Sequence, residues 1–283
     1  MIVDAQIHIW GKDCPERPWP RAGANGRTAR AQRDNPMTAA EAVSAMDAAC
    51  VTRAILVPPS WEGERNDLVL AAAAAHPDRF AVMGRLPPDL RSLARWRHQP
   101  GMLGARIILG AETVDHWLWA EAQAQNVPLM IAPAGKVPLL ARIAREYPAL
   151  RLIIDHMGAR VHETGATAFA QVEEVIAMAA LPNVAIKATC LPGYSAAGHP
   201  WPDVTPYLRR LFDAFGAERT FWGSDLSRLP CPYPTLVRFF HEELPWLKGQ
   251  ARDLVMGGAI LRWLDWNQHR SHPPTNGKGI ASP

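Results

Sequence analysis

Short apolar runs alternate with helix-like stretches eight times along the 283 residues. That alternation constrains the fold more than any other feature of the chain. Strands are expected at "IVDAQIHI" (2–9), "RAILVPP" (53–59), "RFAVMGRL" (79–86), "LGARIIL" (103–109), "PLMIAP" (128–133), "LRLIIDH" (150–156), "VAIKATC" (184–190) and "RTFWGSDL" (219–226). Several are almost wholly apolar, as parallel strands covered on both faces should be. Helices are expected at 38–49, 65–75, 89–97, 114–124, 136–146, 168–180, 203–215 and 233–244, the first opened by a capping-box pair, Thr38 and Glu41. Eight strand–helix units within about 250 residues favour a single-domain α/β fold, a (β/α)8 TIM barrel, over a doubly wound sheet. The barrel should span 1–266. It carries a long Pro-, Arg- and Gly-rich loop insert at 11–36 after strand 1, and an extra C-terminal helix at 251–266. The polar, Pro-rich tail 267–283 should be disordered.

The charge pattern narrows the function. The net charge is only +3, and the one basic region, "RAGANGRTARAQR" (21–33), spaces its positive charges with Ala and Gly. It reads as a solvated loop, so no nucleic-acid partner is expected. Hydrophobic residues make up 48% of the chain without a run of 18, which implies a large core and no membrane span. Cys14, Cys50, Cys190 and Cys231 form neither a CxxC pair nor a disulfide framework. The chain enters a strand within two residues, leaving no room for a signal peptide. A soluble cytoplasmic protein is expected, with homo-oligomerisation left open.

Barrel enzymes carry their chemistry at the carboxyl ends of the strands. In this chain those positions hold Gln6 and His8, Ser60 and Trp61, Arg85, Arg106, Asp155 and His156, Lys187 and Thr189, and Ser224 and Asp225. Gln6 and His8 share one face of their strand, because side chains two apart point the same way. Each residue alone has a plainer reading. A strand-end His is more often structural, and Asp155 could simply accept backbone hydrogen bonds in a turn. Lys187 in an apolar strand is unusual, since a buried Lys needs a partner. The functional argument rests on their convergence at one barrel mouth.

Four segments in order, "DAQIHIW" (4–10), "IIDHMG" (153–158), "NVAIKATC" (183–190) and "FWGSDL" (221–226), resemble the amidohydrolase-2 family of the amidohydrolase superfamily. Within it they resemble the branch of 2-pyrone-4,6-dicarboxylate and sugar lactonases. The resemblance implies a hydrolase in which Asp225 activates water while His8 and His156 polarise the scissile carbonyl. It also implies cationic positions, Arg106, Lys187 and Arg85, suited to a substrate carboxylate or oxyanion. Two positions depart from the pattern. Gln6 stands where the family usually has the first His of a His-x-His pair, and Ala259 stands where many relatives have Asn.

The Gln6 departure bears on metal. A Gln carbonyl is a weaker zinc donor than imidazole, so hydrolysis with no required cofactor is favoured. A single divalent metal such as Zn, held by His8, His156 and Asp225, is the alternative. The expected substrate is a small, anionic or sugar-derived lactone, with Gln6, Trp19 and Tyr194 as further contacts. In the insert, Arg17 and Arg21 are candidate contacts together with Trp19, the alternative being a rigid Pro-rich cover with no ligand role. The loop after strand 7 should bring Tyr194 and the weaker candidate His199 to the rim. Trp19, Trp61 and Trp201 could stack on a ring, and Trp222 is read as core. The rival functions are a metal-dependent decarboxylase of the same superfamily and an inactive ligand-binding barrel.

Overall fold

The computed structural model describes residues 1–20, 31–109, 116–133 and 135–266. Eight parallel strands follow one another in sequence order: β1 Val3–Ile7, β2 Arg53–Leu56, β3 Phe80–Gly84, β4 Met102–Ile108, β5 Leu129–Ala132, β6 Leu152–Ile154, β7 Val184–Thr189 and β8 Thr220–Gly223. The helices are α1 Ala39–Ala48, α2 Asp67–Ala75, α3 His116–Ala124, α4 Val137–Glu146, α5 Gly165–Ala168, α6 Val172–Ala177, α7 Thr205–Phe215, α8 Tyr233–Arg238, α9 Gly249–Asp253 and α10 Ala259–Trp263. All eight expected strands form, and the architecture is a (β/α)8 barrel.

Two apolar layers account for the nearly continuous hydrophobicity of the strands. One face of each strand supplies the lumen, with Val3, Ala5, Ile55, Ala81, Met83, Leu103, Met130, Ile153, Ala185 and Phe221 in a single cluster. The other face packs outward on the helices, with Ile7, Leu56, Val82, Ile131, Ile154, Ile186 and Trp222 in a second cluster. Residues facing apolar neighbours on both sides leave no polar alternation.

Three helical expectations are modified. At 89–97 only a 3₁₀ turn, Trp96–His98, is helical. The Glu121 carboxylate takes the Leu93 N–H and the Ser92 hydroxyl, so this stretch is tied to α3 and does not coil on itself. At 168–180 the helix breaks between α5 and α6, where Phe169 stacks on Tyr207 with ring centroids 4.6 Å apart. At 251–266, α9 and α10 are separated by a wide π turn over Leu254–Gly258. A Cβ on Gly257 would lie 2.9 Å from both Met1 O and Val3 Cγ2, so the glycine at this position lets the segment close the barrel floor against β1. Ala259, the second departure from the family pattern, is buried in the same floor.

The insert is part of the mouth where it is described. Arg17 reaches across to Glu62 and Asp67, and the Trp19 indole N–H donates to Gly11 O. Residues 21–30, including Arg21, and the tail 267–283 lie outside the described residues. Among the described residues no helix is long and apolar enough to cross a membrane.

Candidate active site

The site begins with an irregularity in β1. Asp4 pairs with Ala54 and Ile7 with Leu56, so three steps on β1 match two on β2. Such a bulge re-aims the side chains beyond it. Val3 and Ala5 lie in the lumen cluster, whereas Ile7 lies in the outer one. Gln6 and His8 thus reach the interior together, and both are buried.

Asp4 joins the two ends of the barrel. Its Oδ1 accepts the backbone N–H groups of Gln6 and Ser224, both at 2.9 Å. Its Oδ2 accepts the hydroxyls of Ser224 and Tyr233. Burial holds the Asp4 carboxyl above its usual range against the downward pull of these bonds. The Asp225 N–H donates to Gln6 O at 3.0 Å, completing the seam. Gly223 is needed here, because a Cβ would meet Thr189 Cγ2 at 2.6 Å and Ala5 N at 3.0 Å.

Three strands end in residues with left-handed backbone: His156 after β6 (φ 52°), Cys190 after β7 (φ 54°) and Asp225 after β8 (φ 53°). Non-glycine residues pay about 1–3 kcal/mol for such conformations and keep them only where surroundings enforce them. The result is a converging group. Asp225 Oδ1 lies 3.1 Å from His8 Nε2, and Asp225 Oδ2 lies 3.9 Å from His156 Nε2. His8 Nδ1 sits 2.6 Å from Val57 O, a carbonyl that can only accept, so Nδ1 carries a proton and Nε2 faces the site. His156 Nδ1 pairs with the Thr189 hydroxyl at 2.7 Å.

Electrostatics follow from this packing. Burial pushes Asp225 upward, but His8, His156 and Arg228 outweigh it and hold the carboxyl well below the usual range. Burial drives His156 down to about 3, against the upward pull of Asp225 and Asp155. Arg228 was not singled out by sequence. Its guanidinium lies 3.4 Å from Asp225 Oδ2 and 5.4 Å from the centroid of the Tyr194 ring. Its position three residues after Asp225, in "GSDLSR", was the available signal.

A second group lies beside the first. Lys187 and Arg106, expected to face a substrate carboxylate, both face Asp155, at 2.7 Å and 3.0 Å. Burial alone would raise the Asp155 carboxyl, yet Lys187, Arg106 and His156 bring it to about 2. Burial lowers the Lys187 pKa against the upward pull of Asp155, the carboxylate that its Nζ contacts. Lys187 Nζ also donates to Gln6 Oε1 at 2.5 Å. Arg85 pairs with Glu64 at 3.1 Å, and its Nη1 is buried with no hydrogen-bond partner among the described residues.

Other candidates sit apart. Tyr194, expected on the rim, is fully buried beside His156 and Phe169. The loop after β7 folds inward through Leu191 and Pro192, which are buried with it. His199 pairs with Glu243 at 2.8 Å. Trp61 packs edge-on to His8 and Trp10, with Trp19 at 6.5 Å, and Trp201 packs on Phe239. Trp222 is core.

The donor set does not suit a divalent metal at the first strand. An ammonium has only donors, so the Gln6 oxygen must face Lys187 and its NH2 must face His8, 3.2 Å from Nε2. That leaves β1 one ligand, His8, in place of a pair. Among the described residues no group of three or more His, Cys, Asp or Glu side chains is arranged to hold a metal ion.

Comparison with known proteins agrees with this architecture. Residues 3–266 match the family model described as amidohydrolase. The chain is 30% identical to the L-fucono-1,5-lactonase of Burkholderia ambifaria over 250 residues, covering 80% of this chain and 81% of that protein. An amidohydrolase of Burkholderia multivorans solved with bound zinc superposes with a TM-score of 0.72 at 20% identity, over 94% of this chain and 99% of the other. A probable 2-pyrone-4,6-dicarboxylic acid hydrolase of Acinetobacter baumannii, solved with citric acid bound, gives 0.72 at 18% identity, over 93% and 99%. These solved structures share the fold. With the family model spanning almost the whole described chain, the protein belongs to the amidohydrolase family.

Proposed function

We propose that the protein is a hydrolase that opens a small lactone, with Asp225 as the base that activates water. The observation that carries this reading is the buried Asp225 carboxylate with His8 Nε2 at 3.1 Å and His156 Nε2 at 3.9 Å. The similarity to a sugar lactonase supports the bond type. Water donates a proton to Asp225 as its oxygen attacks the lactone carbonyl carbon. The ring C–O bond then breaks, and the departing alkoxide recovers the proton from Asp225 by way of His8. The sum is lactone plus water giving a hydroxy acid. Asp225 stays ionised because His8, His156 and Arg228 outweigh its burial and hold its pKa down, so it meets the water as a carboxylate.

The substrate in this reading is anionic. The buried Arg85 Nη1, without a hydrogen-bond partner among the described residues, offers a donor suited to a carboxylate, beside an Arg106 that already pairs with Asp155. Trp61 stands edge-on beside His8, with Trp19 6.5 Å from Trp61, so aromatic rings border this side of the site. The donor chemistry at Gln6 favours catalysis without a required metal, although the Burkholderia multivorans relative was solved with zinc. The four free cysteines fit a reducing cytoplasm.

The test is a panel of sugar and dicarboxylate lactones followed with a pH indicator. Wild-type protein should acidify at least one, and Asp225→Asn should lose about a thousandfold in kcat while still binding product. An Asp225→Asn protein as active as wild type would remove Asp225 from this role. Turnover should survive dialysis against a chelator, and loss restored by zinc would count against the metal-free reading.

A further inference from the structure

We infer that Gln6, oriented by Lys187, donates its carboxamide N–H to the oxyanion that forms on the lactone carbonyl; the inference rests on the lactonase reading above. The orientation of a Gln amide is set by its partners, because its oxygen only accepts and its nitrogen only donates. Here one partner is unambiguous. Lys187 Nζ lies 2.5 Å from Oε1 and 2.7 Å from Asp155 Oδ1, so the ammonium is held between two acceptors. Lys187 and Asp155 are both fully buried, which leaves the ammonium no solvent to turn to. Gln6 Nε2 is therefore presented toward His8 Nε2 at 3.2 Å, and His8 Nε2 is itself 3.1 Å from the base.

Nε2 has two hydrogens, and at most one of them can point to His8 Nε2. The other belongs to a donor fixed within one contact of Asp225, where the attacked carbonyl must lie if Asp225 is to deprotonate the water. A donor aimed at the place where charge develops stabilises the tetrahedral intermediate, and more strongly out of water than in it. Proximity to cationic Lys187 polarises the amide further, since an N–H group bonds more strongly when its carbonyl oxygen accepts from a charge. At position 6 this chain thus presents a hydrogen-bond donor. Lys187 is the positioning residue, acting through Gln6.

The steps balance as in ordinary hydrolysis, because Gln6 donates a hydrogen bond and transfers no proton. Two variants isolate the donor. Gln6→Glu keeps the shape and an acceptor for Lys187, and Gln6→Met removes the donor without adding charge. Each should lose about 100-fold in kcat on the lactone that wild type opens, with KM within about threefold. Affinity for a cyclic phosphonate mimic of the tetrahedral intermediate should fall in parallel, while affinity for the hydroxy-acid product stays near wild type. A purely structural role would weaken both alike. Wild type alone provides a check that needs no variant: in a crystal structure with the phosphonate, Gln6 Nε2 should lie within about 3.2 Å of a phosphoryl oxygen. A separation too long for a hydrogen bond, or a folded Gln6→Met protein with wild-type kcat, overturns the inference and leaves the lactonase reading standing. A wild type that opens no lactone overturns that reading itself.

Discussion

The backbone N–H of Ser224 donates to the Asp4 carboxylate at 2.9 Å, joining the last strand to the first. Among the described residues strand pairing runs from β1 through β8 without a ladder returning to β1. Asp4, with the Asp225-to-Gln6 backbone bond, supplies that closure through a side chain. It also sets the spacing between His8 and Asp225, which stand four and one residues from the clasped positions.

Asp4→Ala should therefore be costly. It leaves the Gln6 and Ser224 N–H groups and two hydroxyls buried without their acceptor, at about 1–3 kcal/mol for each group left unpaired. Tyr233→Phe removes only one donor and should cost about 1 kcal/mol. Urea unfolding of the two variants should show that order, and equal losses would contradict the clasp.

Lys187→Met strands Asp155 in the interior with Arg106 alone. Removing one partner of a buried pair costs about 3–5 kcal/mol. The double variant Lys187→Met with Asp155→Asn should recover part of that loss, since a neutral amide needs no second counter-charge and still offers Arg106 an acceptor. Denaturation midpoints of the single and double variants measure the difference.

Stability should fall on acidification from pH 6.5. An unfolded His titrates near 6.5, whereas burial holds folded His156 to about 3, so in that window only the unfolded chain takes the proton. This favours unfolding by up to about 1.4 kcal/mol per pH unit. Asp155, held at about 2 against 3.8 when free, contributes stability above 3.8 that disappears as pH falls through 2. His156→Asn should flatten the slope between about pH 6.5 and 4 in urea unfolding series. An unchanged slope would assign the acid sensitivity elsewhere.

Arg228 is one of the charges that hold the Asp225 carboxyl down. Arg228→Met removes it, so the Asp225 pKa should rise and the acid limb of kcat/KM should move to higher pH. The pH–rate profiles of wild type and variant measure the displacement. A shift toward lower pH would contradict the assigned contact.

The eight strands and the principal helices were legible because periodicity and apolar runs are local properties, written within a few residues. The Thr38 cap was equally local, and its hydroxyl accepts the Glu41 N–H at 3.2 Å, although the Glu41 carboxylate goes to Arg33 and not back to the cap. The family motifs also brought His8, His156 and Asp225 to one place. The strand-end rule placed Lys187 and Arg106 near them but said nothing of which charge each would meet.

Tertiary structure decided those partners. Gln6 and Lys187 are 181 residues apart, Asp4 and Ser224 are 220 apart, and Arg106 and Asp155 are 49 apart. Asp155, plausible from sequence as a turn residue, became the buried counter-ion of two cations only when β4, β6 and β7 came side by side. Tyr194 moved from rim to core because the loop after β7 folded inward. The sequence by itself determined which segments become strands and which residue types reach their carboxyl ends. Only the closed barrel decided where each proton and charge points, because the orientation of an amide or an imidazole is set by the neighbours it bonds, and those neighbours come from distant strands.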